Sequence, residues 1–166
     1  MPKRRKDVIF FDAPPVISAW GSAGGKKESE GPLASAFDYL TQDAAFADEN
    51  CANWEQAESM LQQKAAGICL RKAGIAAKDV DLTFAGDLQA QCTASNYTLR
   101  TLATPFAGLY GACSTMTEAL CLGASFSATG LARQVLAMTS SHFCAAERQF
   151  RTPLEYGAKR PPTAQW

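Results

Sequence analysis

The stretch FAGLYGACSTMTEALCLGASFSATG, residues 106–130, decides the fold. Phe106 to Tyr110 is a short apolar run and predicts a buried strand. Gly111 and Ala112 are small enough for a sharp turn, and Cys113 sits at its tip. Thr115 and Glu118 have the spacing of a capping box, so a helix is predicted to start beside the cysteine and to stop at Gly130. A cysteine between a strand and a helix N-terminus holds the position of a nucleophile or an anion-facing group. The first N–H groups of the helix carry partial positive charge, which favours a thiolate or a bound carboxylate there. The helix itself is rich in small residues, Ala119, Gly123, Ala124 and Ser127, and is expected to be central and buried. Glycine within a helix costs about 1 kcal/mol relative to alanine, so Gly123 implies a close neighbour.

Outward from this unit the chain alternates strands and helices. On the N-terminal side, VDLTFA at 80–85 predicts a strand ending in Gly86-Asp87, and a helix covers part of Ala94 to Ala103 before Pro105. Further back, Asn53 to Ala73 has an N-cap at Asn53, a capping-box glutamine at Gln56 and a stop at Gly74. Trp54, Ala57, Leu61, Ala65 and Ile68 recur at helical spacing and predict its buried face. PVISAW at 15–20 predicts a first strand running into the loop GSAGG, and Leu33 to Ala47 a short helix or loop. On the C-terminal side, QVLAMT at 134–139 predicts a last strand ending in Ser140, Ser141 and His142. The order βαβαβαβ is that of an α/β domain with a mixed, mostly parallel sheet covered by helices on both faces. Ligands gather at the carboxyl ends of such strands. Asp87, Cys113, Ser140, Ser141 and His142 all lie at or just beyond those ends and are the candidate ligand-binding residues.

Composition narrows the function. The 166 residues suffice for one domain, and 16 basic against 16 acidic residues leave no net charge to draw nucleic acid. Lys3 to Lys6 form a basic start, so residues 1–13 read as a tail or edge strand; Glu28 to Glu58 is acidic without a lysine or arginine. The six cysteines include no Cys-x-x-Cys pair, and there is one histidine, so neither a structural zinc site nor a disulfide framework is expected. Cys69 and Cys121 fall inside predicted helices and read as core thiols. Asp12, Pro14 and Pro15 interrupt the apolar start, which makes a poor signal peptide, and the sequence holds no run of 18 apolar residues, so no spanning segment is expected.

GACSTMTEAL at 111–120 resembles the active-cysteine elbow of the thiolase and ketoacyl synthase superfamily. RKAGI at 71–75 and KDVDLTFAGDL at 78–88 resemble its first helix and second strand. More narrowly, EGPLASAFDY at 30–39, FAGDL at 84–88, LYGACSTMTEAL at 109–120, SSHF at 140–143 and AERQFRTPLEYGAKRPPTAQW at 146–166 resemble the stage V sporulation protein AD family. The resemblance implies a thiolase-like N-terminal domain over 14–166. In the superfamily a second such domain supplies the histidine, or histidine and asparagine, that makes the cysteine catalytic. It further implies a non-enzymatic dipicolinic acid binding protein, without a cofactor, of an assembly that takes dipicolinate into the developing spore. By the same resemblance dipicolinate is often present with calcium, and the chain sits peripherally on the inner spore membrane beside integral-membrane partners. A homodimer stays open. The alternatives are an acyl transferase using Cys113 as nucleophile, or an incomplete half-domain.

Overall fold

Residues Leu82–Gly86 form the middle strand of a parallel sheet, and all but the first are buried. A strand covered on both faces reads as a continuous apolar run rather than an alternating one, as LTFAG does. The computed structural model describes residues 2–44, 46 and 50–150, apart from the side chains of 91 and 147–150. In chain order its elements are β1 (Lys3–Arg5), β2 (Val8–Phe10), β3 (Ala23–Gly24), α1 (Lys26–Ser29), β4 (Tyr39–Leu40), α2 (Trp54–Ala73) and β5 (Leu82–Gly86). They continue with α3 (Thr93–Leu102), β6 (Phe106–Gly108), α4 (Thr115–Ala128), β7 (Val135–Thr139) and α5 (Phe143–Phe150).

The main sheet has the order β6-β5-β7, and both pairings are parallel. Ala85 stands opposite Gly108 on one side and Met138 on the other, so the three strands end at a common level. Side chains alternate between the faces. Ala85, Leu136 and Met138 join Ala66 and Leu70 of α2 and Leu99 of α3 in one buried cluster. Phe84 points the other way and meets Phe126 of α4 edge-on at 5.2 Å. Helices therefore flank both faces of an α/β sheet, as the alternating pattern requires. Antiparallel pairing occurs only in the separate β1–β2 hairpin among the described residues, and β3 pairs parallel with β4.

Several expectations are corrected. PVISAW at 15–20 forms no strand: Val16, Ile17 and Trp20 are exposed, and the neighbouring strands begin only at Ala23. Pro15 has no N–H to donate to a ladder, and Pro14 before it has none either. Of the stretch 33–47, expected as a short helix or loop, the described residues take the loop form, with one 3-10 turn at Ala34–Ala36 followed by β4. β6 is an edge strand of three residues that is only half-buried, not a buried run to Tyr110. Helix α4 buries a single stripe, Thr115, Ala119 and Gly123, and leaves Met116, Leu120 and Cys121 exposed, so Cys121 is no core thiol. Gly123 does have its close neighbour: a Cβ there would stand 3.1 Å from Val135 Cγ1.

Helix α2 starts and stops as expected. The Asn53 side chain accepts from the Gln56 N–H at 2.8 Å, and Gly74 closes the helix in the left-handed conformation at φ 70°. Its buried face lies one position away from the predicted stripe, at Ala57, Glu58, Ser59, Gln62, Ala66 and Leu70. Half of those residues are polar, and the Ser59 hydroxyl shares a hydrogen with that of Thr98 on α3 at 3.0 Å. Periodicity in apolar residues alone misses such a face, because its burial is compensated by hydrogen bonds instead of by transfer of hydrocarbon.

Candidate functional site

The strand ends build the site. Leu109 follows β6 and donates its N–H to the Ala85 carbonyl at 2.8 Å, continuing the pairing past the strand. Its own carbonyl then lies where a Cβ on Gly86 would stand, so only glycine at the end of β5 lets the two segments approach. The chain reverses through Ala112, held at φ 48° in the left-handed region, and Cys113 sits exposed in the 3-10 turn Ala112–Ser114. A non-glycine residue there carries backbone strain, which is sustained only where the surroundings enforce it. The enforcing contacts are local. The Gly111 N–H donates to the Thr115 hydroxyl at 3.2 Å, the Thr115 hydroxyl donates to the Ala112 carbonyl at 2.9 Å, and the Ser114 hydroxyl donates to the Gly111 carbonyl at 2.7 Å. The expected capping box does not form, because Thr115 is already the first helical residue and spends its hydroxyl on the turn.

Cys113 opens onto a cleft of about 470 Å³. Ala112, Cys113 and Met116 form one wall at the start of α4; Ser140 and Ser141 after β7 form another; Glu58, Leu61, Gln62 and Ala65 of α2 close the floor with Gly21 to Ala23. Gly21 is bare for a reason, since a Cβ there would overlap the Ala65 carbonyl. A smaller, mostly apolar cavity of about 200 Å³ lies between Pro15–Ala19, α4 and the outer edge of β7, and none of the chemistry-bearing strand ends reaches it.

Beneath the cleft runs a buried polar network. Glu58 is 1% exposed. Its Oε1 accepts from the Ser140 hydroxyl at 2.5 Å and its Oε2 from the Gln89 side-chain amide at 2.8 Å, with the His142 backbone N–H as a further donor. Burial nonetheless outweighs these donors and pushes the Glu58 carboxyl above its usual range, with the Asp87 charge adding to the rise. Gln62 Nε2 donates to the Ser140 hydroxyl at 2.7 Å and to the Ser95 hydroxyl at 3.0 Å. Ser95 in turn donates to Asp87 at 2.7 Å. The oxygens Gln62 Oε1 and Gln89 Oε1 are buried without a partner.

The five residues singled out in the sequence part company here. Cys113, Ser140 and Ser141 share the cleft. Asp87 lies beneath the surface at 1% exposure and accepts the N–H of Gln89 at 2.9 Å, the N–H of Ser95 at 2.8 Å and the Ser95 hydroxyl. It is the anchor of the 3-10 turn and helix that follow β5. His142 leaves the cleft altogether. Its ring stacks on Trp54 with centroids 5.6 Å apart and meets Phe46 edge-on at 5.2 Å. Glu58 and Gln62 are the cleft residues that sequence reasoning missed. The only signal for them was a helix carrying polar residues at positions 58, 59 and 62, in step with Ala66 and Leu70. Among the described residues no group of three or more His, Cys, Asp and Glu side chains is arranged to hold a metal ion.

The placement of His142 yields a pH prediction. Burial holds its imidazole below the usual value of 6.5, against a weaker opposing pull from Glu28, and its Nδ1 has no partner. The folded chain thus prefers the neutral ring. That contribution to stability is present above pH 6.5 and is lost as the pH falls through the lower folded value. His142→Phe keeps the aromatic stack and removes both the orphaned nitrogen and the titration. Denaturant unfolding at pH 5 is expected to find the variant more stable than the parent by about 1 kcal/mol, with the gap narrowing by pH 7.5.

The family model for stage V sporulation protein AD matches residues 5–166. The chain belongs to that family. Stage V sporulation protein AD of Bacillus subtilis (strain 168) is 41% identical over 159 residues, covering 96% of this chain and 46% of the relative. The chain therefore spans about half the length of the curated relative it matches. Among solved structures, 3-oxoacyl-[acyl-carrier-protein] synthase III from Aquifex aeolicus VF5 superposes with a TM-score of 0.45 at 22% identity, over 50% of this chain and 29% of that one. The family match covers the elbow, the cleft and the stretch 151–166 quoted above, which lies outside the described residues. Among those described residues no helix is long and apolar enough to cross a membrane.

Proposed function

We propose that the cleft at Cys113 binds dipicolinic acid, a planar pyridine dicarboxylate, and that the chain acts as a binding protein of a spore-membrane assembly rather than as an enzyme. The observation that carries this reading is the composition of the cleft. The N-terminal turn of a 14-residue helix borders it, Ser140 and Ser141 line it, and Leu61, Leu88 and Met116 supply apolar wall for a ring. A carboxylate fits helix-end N–H groups and hydroxyl donors, and a flat ring fits an apolar slot. The volume is of the size that small-molecule sites use. On this reading the chain works peripherally at the inner spore membrane beside integral-membrane partners, and the domain is thiolase-like.

A second reading keeps Cys113 as an acyl nucleophile, supported by its exposure after the strained Ala112. A nucleophilic cysteine needs a proton acceptor within hydrogen-bond reach. The one histidine of the chain is stacked on Trp54 and does not line the cleft. Calorimetric titration with dipicolinate, with and without calcium, alongside incubation with a short acyl-CoA and mass spectrometry, separates the two. Saturable dipicolinate binding with no mass added at Cys113 is expected, and Ser141→Ala is expected to weaken it about tenfold. Acylated Cys113 without dipicolinate binding sinks the proposal.

A further inference from the structure

The network under the cleft has an order of donors and acceptors that constrains what the cleft offers a ligand. A serine hydroxyl has one hydrogen to give and two lone pairs to receive. With Glu58 ionised, the Ser140 hydrogen is committed to Glu58 Oε1 at 2.5 Å, and one lone pair accepts from Gln62 Nε2 at 2.7 Å. Gln62 is held in that orientation because the Ser95 hydroxyl also gives its hydrogen away, to Asp87, and so can only accept from Gln62 Nε2. At the Glu58–Gln62 floor beneath the cleft, what remains is then acceptor: the second lone pair of Ser140 and the unpartnered, buried Gln62 Oε1. Such a surface, with a carboxylate behind it, repels an anion.

One proton reverses this. A neutral Glu58 donates its O–H to Ser140 Oγ, which still accepts from Gln62. The Ser140 hydrogen swings into the cleft as a donor. The count of bonds is conserved, a negative charge is removed from the floor, and a ligand carboxylate gains a partner. We infer that Glu58 decides which ligand charge the cleft accepts: an anionic ligand enters together with one proton, held on Glu58, which frees the Ser140 hydroxyl to bind the ligand carboxylate. Glu58 is a positioning residue here, since it acts through Ser140. The inference rests on the reading of the cleft as a carboxylate site.

The surroundings of Glu58 agree with a proton held there. Asp87 beyond β5 opposes its ionisation, and Gln89 and Ser140 are neutral. Cys113 is the titratable group across the cleft. From the start of α5, His142 presents its backbone N–H while its ring is turned to Trp54. Among the described residues no lysine or arginine lines the cleft to hold Glu58 charged.

The test is calorimetric titration of the chain with dipicolinate between about pH 6 and 8.5, where the ligand carboxylates are ionised, in phosphate and in Tris. The two buffers differ in ionisation enthalpy, so proton uptake reads as a difference in heat. For the parent chain, uptake approaching one proton is expected, with affinity falling about tenfold per pH unit above the Glu58 transition. Glu58→Gln mimics the protonated floor through its amide N–H. It should bind with an affinity that stays level with pH and with heats independent of buffer. Ser140→Ala keeps Glu58 but has no hydroxyl to release; its residual binding should show no proton uptake, which tests the same point should Glu58→Gln fail to fold. Parent binding that is level with pH and takes up no proton overturns this inference while leaving the binding reading intact. No dipicolinate binding at any pH overturns both.

Discussion

Asp87→Ala is expected to destabilise the folded chain by about 3–5 kcal/mol, the largest loss from any single polar substitution described here. Asp87 is 1% exposed, and three donors end on it: the N–H groups of Gln89 and Ser95 and the Ser95 hydroxyl. Alanine leaves them buried without acceptors, and each orphaned buried donor costs about 1–3 kcal/mol. The loss spreads along the network, because Ser95 is the acceptor for Gln62 and Gln62 orients Ser140. Asp87→Asn retains one carbonyl oxygen and should lose about half as much. Denaturant unfolding at neutral pH checks both values. If Asp87→Ala instead leaves stability within about 1 kcal/mol of the parent and abolishes ligand binding, Asp87 belongs to the cleft and its role as an anchor is wrong.

The contrast between Asp87 and Cys113 marks what residue order reveals and what it conceals. Strand ends are visible in the chain because a short apolar run stops at Gly86-Asp87, at Gly111 and at Ser140. That was enough to find the α/β alternation, the elbow and the two serines of the cleft. It was not enough to orient side chains. Asp87, Cys113 and His142 all lie beyond the ends of three parallel strands, yet Asp87 turns down into the fold, Cys113 opens to the cleft and His142 turns sideways onto Trp54. Asp87 is turned by near neighbours, Gln89 and Ser95, and Cys113 by the local bonds of its turn, whereas His142 is turned by Trp54 of α2, far upstream in the chain. The floor residues Glu58 and Gln62 were hidden for the opposite reason. A polar side chain on a helix reads as solvent-facing unless its partners are known, and those partners, Gln89 and Ser140, come from two other strand ends.

Gly86→Ala is expected to damage both the fold and the site. Its Cβ would overlap the Leu109 carbonyl and stand 2.7 Å from Thr115 Cγ2. Neither neighbour can step aside. The Leu109 N–H is tied to Ala85 at 2.8 Å, and the Thr115 hydroxyl holds the Ala112 carbonyl at 2.9 Å. Glycine-to-alanine changes at permissive positions stabilise a protein slightly through the unfolded chain, so a loss here isolates the steric term. Overpacking of this kind costs about 1–3 kcal/mol, and with backbone as the obstacle the upper end is expected. Relief comes by pushing β5 and the Leu109–Ala112 segment apart, which moves the elbow away from Ser140. Dipicolinate affinity should therefore fall more than tenfold in protein that remains folded, while Gly67→Ala, at a helical glycine with nothing within 4 Å of the added Cβ, should leave affinity unchanged and stability equal or higher. A Gly86→Ala chain as stable as the parent and with parental affinity would show that the elbow is not held by the contact between β5 and Leu109.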